Sequence, residues 1–512
     1  MDRLSDRSAT VIGAGFGGLS TAAYLADAGA DVQVLEKNES VGGRAAVLEA
    51  EGFRFDLGPS WYLMPDVFER FFDHFDRSPA EFYELEHLDP HYRLFFKENV
   101  GPEPDGNPPG VERDPDGDRI DITRDLESSI ELFEAYEAGA GDALERYLEK
   151  SKENYDIGME HFVYEDRSRI RDFLDPRLAK YARGLSLLGT MQDHVEKYFD
   201  HPKLRQIMQY TLVFLGGAPR NTPALYNLMS HVDFNLGVYY PECGIGGVVE
   251  AMVELNEELG VEFVTDEPVT SIRGSRGNFT VRTTANKYQT DLVVSDADYA
   301  HTEQELLQPS DRQYDAEYWE SRTYAPSAFM LYLGVEGEVP ELAHHTLVIP
   351  GDWSDHFDTI FDEPAWPDDP AYYVSVPSET DDTVAPDGHS TIVLLVPIAP
   401  GLDDGEETRQ TYRDKILGDL AAETGTEIRD RIVYEKSVSV SDYRELYNSM
   451  RGTALGLAHT LRQTAVFRPG HRSSALDGLY FTGSYTTPGI GVPMTLISGE
   501  HTANYLLEDE TG

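Results

Sequence analysis

The sequence predicts an α/β fold, α+β overall, organised around a Rossmann-type dinucleotide-binding domain. Three observations lead to this prediction: a strand, glycine turn, helix, strand and acid at the start of the chain, the same rhythm after residue 241, and a strand, glycine turn and helix near the end. A helical stretch and a stretch of mixed strands separate these units. We therefore expect one cofactor domain assembled from distant segments, with the intervening parts forming the substrate site.

The first unit lies within the first sixty residues. An apolar run leads into Gly13-x-Gly15-x-x-Gly18, a helical pattern follows, and a second apolar run ends on Glu36. The glycines permit a tight turn and a close approach of the backbone to a pyrophosphate, which the positive end of the helix dipole faces. The acid suits a ribose hydroxyl and disfavours the 2′-phosphate of NADP. The candidate cofactor residues here are Gly13, Gly15, Phe16, Gly17, Gly18, Glu36 and Lys37.

A second glycine pair with an arginine follows at Gly42, Gly43 and Arg44, and Gly58-Pro59-Ser60 comes after it. Because the arginine fork binds phosphate well, this pair suits a second approach to the same pyrophosphate. Glu-x5-Gly-Gly-Arg resembles the signature of the FAD-dependent amine oxidase and carotenoid desaturase superfamily. The resemblance implies the fold of the flavoproteins with two dinucleotide-binding domains, and it implies FAD as the cofactor.

Composition excludes several classes of function. The 512-residue chain carries 92 acidic against 42 basic residues, a net charge of −50, which argues against a nucleic-acid partner. The acids are spread along the chain, as is typical of proteins from archaea that accumulate salt. The single cysteine, Cys243, permits no internal disulfide and fits a reducing interior. The polar N-terminus predicts no signal peptide, and no apolar run approaches the roughly 18 residues that span a bilayer. We expect a cytoplasmic protein that lies peripherally on a membrane.

The pattern along the chain predicts six segments. Residues 99–118, rich in proline, glycine and acids, read as an exposed insertion without chemistry, and Asp352 to Pro370 as a surface loop. After residue 241 a helix is expected from Gly244 to about Leu259, followed by short strands. The predicted segments are 1–90, 237–300 and 441–512 for the FAD domain, 91–125 for connecting strands and the insertion, 126–236 for a helical, membrane-facing substrate subdomain, and 301–440 for a mixed-sheet substrate domain.

The end of the chain carries the most specific pattern. A short strand runs into Gly483-x4-Pro488-Gly-x-Gly491-Val492-Pro493, preceded by Ala465-Val-Phe-Arg-Pro469. A helix that begins here suits negative charge on a reduced flavin. These motifs resemble the bacterial- and archaeal-type phytoene desaturase family over nearly the whole chain. By that resemblance the flavin end is bordered by Gly483, Ser484, Gly491, Val492 and Pro493, and the strand at Val269 meets the adenosine end; Ser484 replaces an acid that other branches carry.

The resemblance implies stepwise dehydrogenation of phytoene, a long polyene hydrocarbon, toward lycopene, with electrons passing to oxygen or a quinone. FAD should be non-covalent because Cys243 lies far from the C-terminal end. No metal is expected. We single out no catalytic residue; the acid–base candidates are His161, Glu160, Tyr164, His194, Asp193, His231 and Asp233. The alternatives are a carotenoid 3,4-desaturase, a carotenoid isomerase-like protein, an amine oxidase, and a non-catalytic isoprenoid-binding protein.

The charge predicts a dependence on salt. At about 1 M salt the Debye length is about 3 Å, so repulsion among exposed acids is screened, whereas at low salt it opposes the compact state. We expect the melting temperature to rise steeply between low and multimolar KCl. Equal melting curves at both concentrations would contradict this expectation.

Overall fold

The computed structural model describes residues 3–113, 117–166, 189–212, 216–460 and 462–511. Within these ranges no helix combines the length and the apolar character needed to cross a bilayer. The strands are β1 (Ser8–Ile12), β2 (Asp31–Leu35), β3 (Val47–Ala50), β4 (Phe53–Asp56), β5 (Leu85–His87), β6 (Tyr92–Phe96), β7 (Val111–Glu112), β8 (Arg119–Ile122), β9 (Tyr239–Pro241), β10 (Glu262–Val264), β11 (Val269–Arg273), β12 (Phe279–Thr283), β13 (Lys287–Thr290), β14 (Leu292–Ser295), β15 (Ser327–Glu336), β16 (His345–Ile349), β17 (Tyr372–Ser375), β18 (His389–Ile398), β19 (Ile432–Val438) and β20 (Leu479–Phe481).

The α-helices lie mainly in the middle of the chain and behind the first sheet. They are α1 (Phe16–Asp27), α2 (Pro65–Asp73), α3 (Leu126–Tyr136), α4 (Ala140–Gly158), α5 (Met191–Val195), α6 (Pro202–Ile207), α7 (Leu228–His231), α8 (Gly244–Glu258), α9 (Tyr299–His301), α10 (Ala316–Glu320), α11 (Ser354–Phe361), α12 (Glu406–Thr424), α13 (Val440–Tyr447) and α14 (Val492–Thr511). Helices α4 and α7 each continue into a π-helical turn, Met159–Val163 and Val232–Leu236 respectively.

The first sheet is parallel throughout, in the order β10-β2-β1-β14-β20. Thr10 lies opposite Gln33 on one side and Val293 on the other, so β1 is central. Helices α1, α8 and α14 bury one face of this sheet in a common apolar core, and the antiparallel β11–β13 sheet lies in the core on the other face. The predicted cofactor sheet is therefore assembled from all three expected parts of the chain.

The direction of the strands predicts where a ligand binds on the first sheet. Because all five strands run the same way, the segments after β1, β2, β14 and β20 meet at one carboxyl edge. In open parallel sheets ligands bind outside that edge.

The second sheet has eight strands, in the order β19-β15-β18-β17-β16-β6-β8-β7. Strands β15 and β18 pair over ten residues each, from Ser327 opposite Ile398 to Glu336 opposite His389. Helix α12 packs on one face, and the β3–β4 hairpin packs through Phe53 and Phe55 on the other. Burial on both faces explains why β15 and β18 are nearly continuous apolar runs. The strands predicted at 328–334, 372–376 and 391–396 are confirmed, with longer bounds for the first and third.

Two surface predictions need correction. The segment from Asp352 to Pro370 contains α11, whose Phe357 and Ile360 are buried, so a simple surface loop is wrong. The insertion at 99–113 is mostly exposed, but Asp118 is buried and forms an ion pair with the equally buried Lys203 at 2.5 Å. The acidic composition of both segments gave no sign of these buried side chains, because the residues that bury them come from distant parts of the chain. The helical prediction for 126–236 holds for much of the described chain there; residues 167–188 and 213–215 of that segment lie outside the described residues.

Candidate cofactor and substrate site

One cavity of about 690 Å³ begins at the carboxyl edge of the first sheet and extends to the second sheet and the helical segment. Every predicted cofactor residue except Gly18 lines it: Gly13, Gly15, Phe16, Gly17, Glu36, Lys37, Gly42, Gly43, Arg44, Gly58, Pro59, Ser60, Val269, Gly483, Ser484, Gly491, Val492 and Pro493. Gly18 lies behind the wall. The structure thus brings together residues from both ends of the chain.

The glycine turn after β1 is shaped by two constraints. Gly13 has a φ of +98°, which favours glycine, and a Cβ on Gly18 would collide with the carbonyl oxygen of Gly13. A Cβ on Gly17 would lie 2.9 Å from the backbone of Gly483. The turns after β1 and β20 therefore touch, and glycine is what permits that contact.

At one end of the cavity Glu36 is held by backbone groups. It is 5% exposed; its Oε2 accepts from the Ala14 N–H at 2.8 Å and its Oε1 from the Asn38 N–H at 2.9 Å. Oε1 also accepts from the Asn38 side-chain amide at 3.1 Å, but Oε2 keeps a second lone pair, so Glu36 can still accept from a ribose hydroxyl. Lys37 also belongs to the cavity wall, and its ammonium group donates to the carbonyl of Glu445, at the end of α13.

Arg44 fits the phosphates of a dinucleotide. It is half-buried in the cavity wall, and its Nε makes no hydrogen bond within the described residues. Its Nη2 makes one long contact, 3.4 Å, to the Ser449 hydroxyl. A guanidinium with an unused donor in the cavity wall, near the start of α1, suits phosphate oxygens by its chemistry.

The second glycine-rich helix start is not an equivalent site. The N–H groups of Ile245 and Gly246, in the first turn of α8, both donate to the carboxylate of Asp56 at 2.8 Å. Burial raises the pKa of Asp56 to about 6 against the lowering effect of these two N–H groups. The α8 N-terminus holds an anion from β4 and lies outside the cavity, whereas the α1 N-terminus borders the cavity.

At the other end of the cavity the β20 turn and the N-terminus of α14 form the wall. The Gly483 N–H donates to the Ser498 hydroxyl at 2.9 Å, which fixes the turn on the helix. The first turn of α14 carries N–H groups without intrahelical acceptors, apart from Pro493, which has none. Such a terminus favours negative charge.

A buried cation and a buried histidine lie directly beneath this turn. Arg468 donates to the carbonyl of Ser484 at 2.6 Å and forms no salt bridge with a described carboxylate; burial lowers its pKa to about 10. His459 Nε2 accepts from the Ile490 N–H at 3.1 Å. Its Nδ1 therefore carries the proton and donates to the Tyr226 hydroxyl, because a neutral imidazole has only one acceptor nitrogen. The positive charge of Arg468 favours an electron-rich group near this turn, whereas His459 has no further N–H to donate.

The remainder of the cavity wall is mainly apolar. Its residues come from the segment after β4, from the helical part and from the second sheet: Trp61, Leu63, Met64, Met159, Phe162, Val163, Leu225, Leu228, Met229, Met330 and Leu395. Methionine and aromatic side chains adapt to long apolar ligands.

One acid lies in this apolar wall. Asp233 is 3% exposed, and Tyr92 donates to its Oδ2 at 3.0 Å. Burial raises its pKa to about 7, against the hydroxyls of Tyr92 and Tyr210, which lower it. Of the seven acid–base candidates only Asp233 lines the cavity; His161, Glu160, Tyr164, His194, Asp193 and His231 do not.

Sequence reasoning missed several cavity residues. Asp296 and Asp298 follow β14, and their position at the carboxyl end of a predicted parallel strand was a usable signal. Tyr226, His459, Tyr447 and Asn448 carry no such signal, because only tertiary packing brings them to the wall. Cys243 is half-buried outside the cavity, and within the described ranges no group of His, Cys, Asp and Glu is placed to hold a metal.

Comparison with known proteins identifies the family. The model of the flavin containing amine oxidoreductases matches residues 16–507. The chain belongs to this family. The match confirms the prediction of an FAD-dependent oxidoreductase of the amine oxidase superfamily.

Curated relatives of this family member cover it almost completely. A carotenoid 3,4-desaturase of Haloarcula japonica is 62% identical over 99% of this chain and 100% of its own length. A zeta-carotene-forming phytoene desaturase of Myxococcus xanthus is 32% identical over 96% and 92%, and a phytoene desaturase of Fusarium fujikuroi is 31% identical over 98% and 90%. These similarities confirm the resemblance to the carotenoid desaturases.

Solved structures show the same fold. An oxidoreductase from Methanosarcina mazei has a TM-score of 0.60 at 18% identity, covering 97% of this chain and 100% of its own. Putrescine oxidase bound to putrescine has a TM-score of 0.61 at 16% identity, covering 98% and 99%. At these identities the likeness concerns the fold alone.

Replacing Arg44 should weaken the binding of FAD. Hydrogen bonds to a charged group contribute about 1.5–3 kcal/mol each, so we expect the dissociation constant of Arg44→Met to rise about 10- to 100-fold. The measurement is titration of flavin-free protein by quenching of FAD fluorescence. Arg54→Met is the matched control, because Arg54 pairs with Glu49 and Glu250 away from the cavity. An equal loss in both variants would contradict a specific role for Arg44.

Proposed function

We propose that this protein is an FAD-dependent carotenoid desaturase that removes two hydrogens from a CH–CH unit of a long polyene. The observation that carries the proposal is the single cavity in which a glycine-lined dinucleotide groove opens into an apolar half. The carotenoid desaturases among the full-length relatives support it. An apolar wall of this extent suits a hydrocarbon better than the small charged substrates of amine oxidases.

Within this class we infer that the reaction is 3,4-desaturation, a later step of carotenoid synthesis. We prefer it to the conversion of phytoene toward lycopene that the terminal motifs first indicated. Identity of 62% to a 3,4-desaturase, against 31–32% to phytoene desaturases, supports this preference. We assign the motifs at Gly483 to Pro493 to the flavin, so they do not separate the two substrates.

FAD is proposed to bind non-covalently along the first sheet's edge. Glu36 would hold the adenosine ribose, Arg44 and the α1 N-terminus the pyrophosphate, and the β20 turn with α14 the flavin. Bound there, FAD would supply the acceptor for a hydride from the substrate. The sole cysteine lies outside the cavity, which supports a non-covalent cofactor.

The chain's own residues then have three tasks. The apolar wall orients the polyene and excludes water, so a cationic carbon left after hydride loss is not captured by a water molecule. Asp233, as a carboxylate, accepts the second hydrogen as a proton, and the two electrons of that C–H bond form the new double bond. A carboxyl with a pKa of about 7 suits a base at neutral pH.

Electrons would leave the reduced cofactor for a quinone or oxygen. We propose peripheral association with a membrane, since both a polyene and a quinone are delivered from lipid. Co-sedimentation with vesicles in high salt tests this association.

The function is tested with purified, flavin-loaded protein in multimolar KCl. Under anaerobic conditions a 3,4-saturated carotenoid should bleach the flavin and yield a product two hydrogens poorer, with phytoene reacting more slowly. Bleaching by amines alone would identify an amine oxidase, and purified protein that binds no flavin would favour an isoprenoid-binding protein.

Replacing Asp233 tests its role as the base. Asp233→Asn keeps the shape and the contact with Tyr92, but it removes the proton acceptor, so we expect kcat to fall about 10²- to 10⁴-fold. In the unsubstituted protein kcat should rise as pH rises through about 7, because the ionised form is the active one; this limb should vanish in the variant.

The control for this variant is Asp381→Asn. Asp381 is also buried and accepts from a tyrosine hydroxyl, that of Tyr240 at 3.1 Å, but it lies outside the cavity. The kcat of Asp381→Asn and the pH dependence of that kcat should match those of the unsubstituted protein. A pH limb that persists in Asp233→Asn would exclude Asp233 as the base.

A further inference from the structure

An acidic side chain stands inside the glycine cradle of the first sheet. Asp296 follows β14 and lines the cavity. A Cβ on Gly15 would lie 2.6 Å from its Oδ2, and a Cβ on Gly17 would lie 2.6 Å from its Oδ1. A Cβ on Gly483 would also collide with Oδ1. The carboxylate therefore fills the space that three glycines leave open.

This carboxylate serves as the anion of the α1 N-terminus. Helix α1 has no acid in its first turn, and its N-cap, Gly15, has no side chain to accept a hydrogen bond. The N–H groups of Gly15 and Gly18 face Asp296 instead. A helix N-terminus satisfied in this way resembles the Asp56 cap of α8, with one difference: the α1 site is also where a pyrophosphate belongs.

We propose that Asp296 occupies the pyrophosphate position in the flavin-free protein and takes up a proton when FAD binds, so that cofactor binding is proton-linked. This inference rests on the proposed placement of FAD. Two anions cannot share the same few N–H groups, whereas a protonated Asp296 can donate a hydrogen bond to a phosphate oxygen. One proton from solvent joins the carboxylate for each FAD bound, and no other bond changes.

The charges around Asp296 set the direction of the effect. Burial raises its pKa to about 7; the N–H groups of Gly18 and Gly15 and the guanidinium of Arg44 lower it, and Glu36 raises it. Asp298, Lys37 and His301 line the same end of the cavity. The negative pyrophosphate raises the pKa further. Because the bound-state pKa exceeds the free-state pKa, affinity is highest below the free-state value and falls as pH rises through about 7.

The test is titration of the flavin-free protein with FAD between about pH 6 and about pH 8.5, in fixed multimolar KCl. Above about pH 7 the dissociation constant of the unsubstituted protein should rise by up to about tenfold per pH unit. Asp296→Asn should bind independently of pH, and more tightly than the unsubstituted protein at the alkaline end. Calorimetry in buffers of different ionisation enthalpy should show uptake of about one proton per FAD at alkaline pH.

The control is Asp291→Asn, because Asp291 lies at the other end of β14, where it accepts from Ser8 outside the cavity. The Asp291→Asn variant should show the same pH dependence of FAD binding as the unsubstituted protein. A flat pH profile of the unsubstituted protein, an unchanged slope in Asp296→Asn, or weaker binding by that variant at every pH would overturn the proposal. Absence of FAD binding by the unsubstituted protein at any pH would instead overturn the placement of the cofactor.

Discussion

The shared direction of five strands is the constraint on which the rest of the structure depends. In the sheet β10-β2-β1-β14-β20 every carboxyl end faces one edge, so loops that are up to 480 residues apart in sequence meet there. The turns at Gly17 and Gly483 approach so closely that a Cβ on Gly17 would lie 2.9 Å from the Gly483 backbone, and this contact fixes where the loops meet. The large sheet and the helical segment then have only to cover the open side, and what they contribute to the cavity wall is mainly apolar.

The N-termini of α1 and α8 both face a carboxylate, but only the N-terminus of α1 borders the cavity. At α8 the carboxylate of Asp56 is fixed by two short hydrogen bonds inside a packed hairpin. At α1 the carboxylate of Asp296 borders a cavity that also contains an arginine with an unused donor. In both cases a carboxylate faces the positive end of a helix dipole. The Asp56 carboxylate stays at α8, whereas another anion can replace the Asp296 carboxylate at α1, because only the α1 N-terminus borders a cavity.

Much of the cofactor site could be predicted from the sequence, since its motifs are local. Gly13 to Glu36 and Gly483 to Pro493 each encode a strand, a turn and a helix in consecutive residues, and period and glycine spacing reveal them. The hydrogen bond of Lys37 to the Glu445 carbonyl could not be predicted, because Glu445 lies 408 positions later in the chain. Helix α11 was missed because acidic and proline residues hid the buried side chains of Phe357 and Ile360. The position of Asp296 after a parallel strand was a signal, but its role could not be predicted, because the glycines that face it come from other segments of the chain.

Salt separates the two kinds of acid in this chain. Exposed carboxylates, which dominate the net charge of −50, repel through solvent and are screened within about 3 Å at 1 M salt. Asp233 lies in the apolar wall, and Asp296 in the glycine cradle, where the raised pKa comes chiefly from burial rather than from surrounding charge. Ions reach such groups poorly, so high salt stabilises the fold without removing the electrostatics of the cavity. Carboxyl chemistry at neutral pH inside the cavity is therefore compatible with an acidic surface that we expect to require salt.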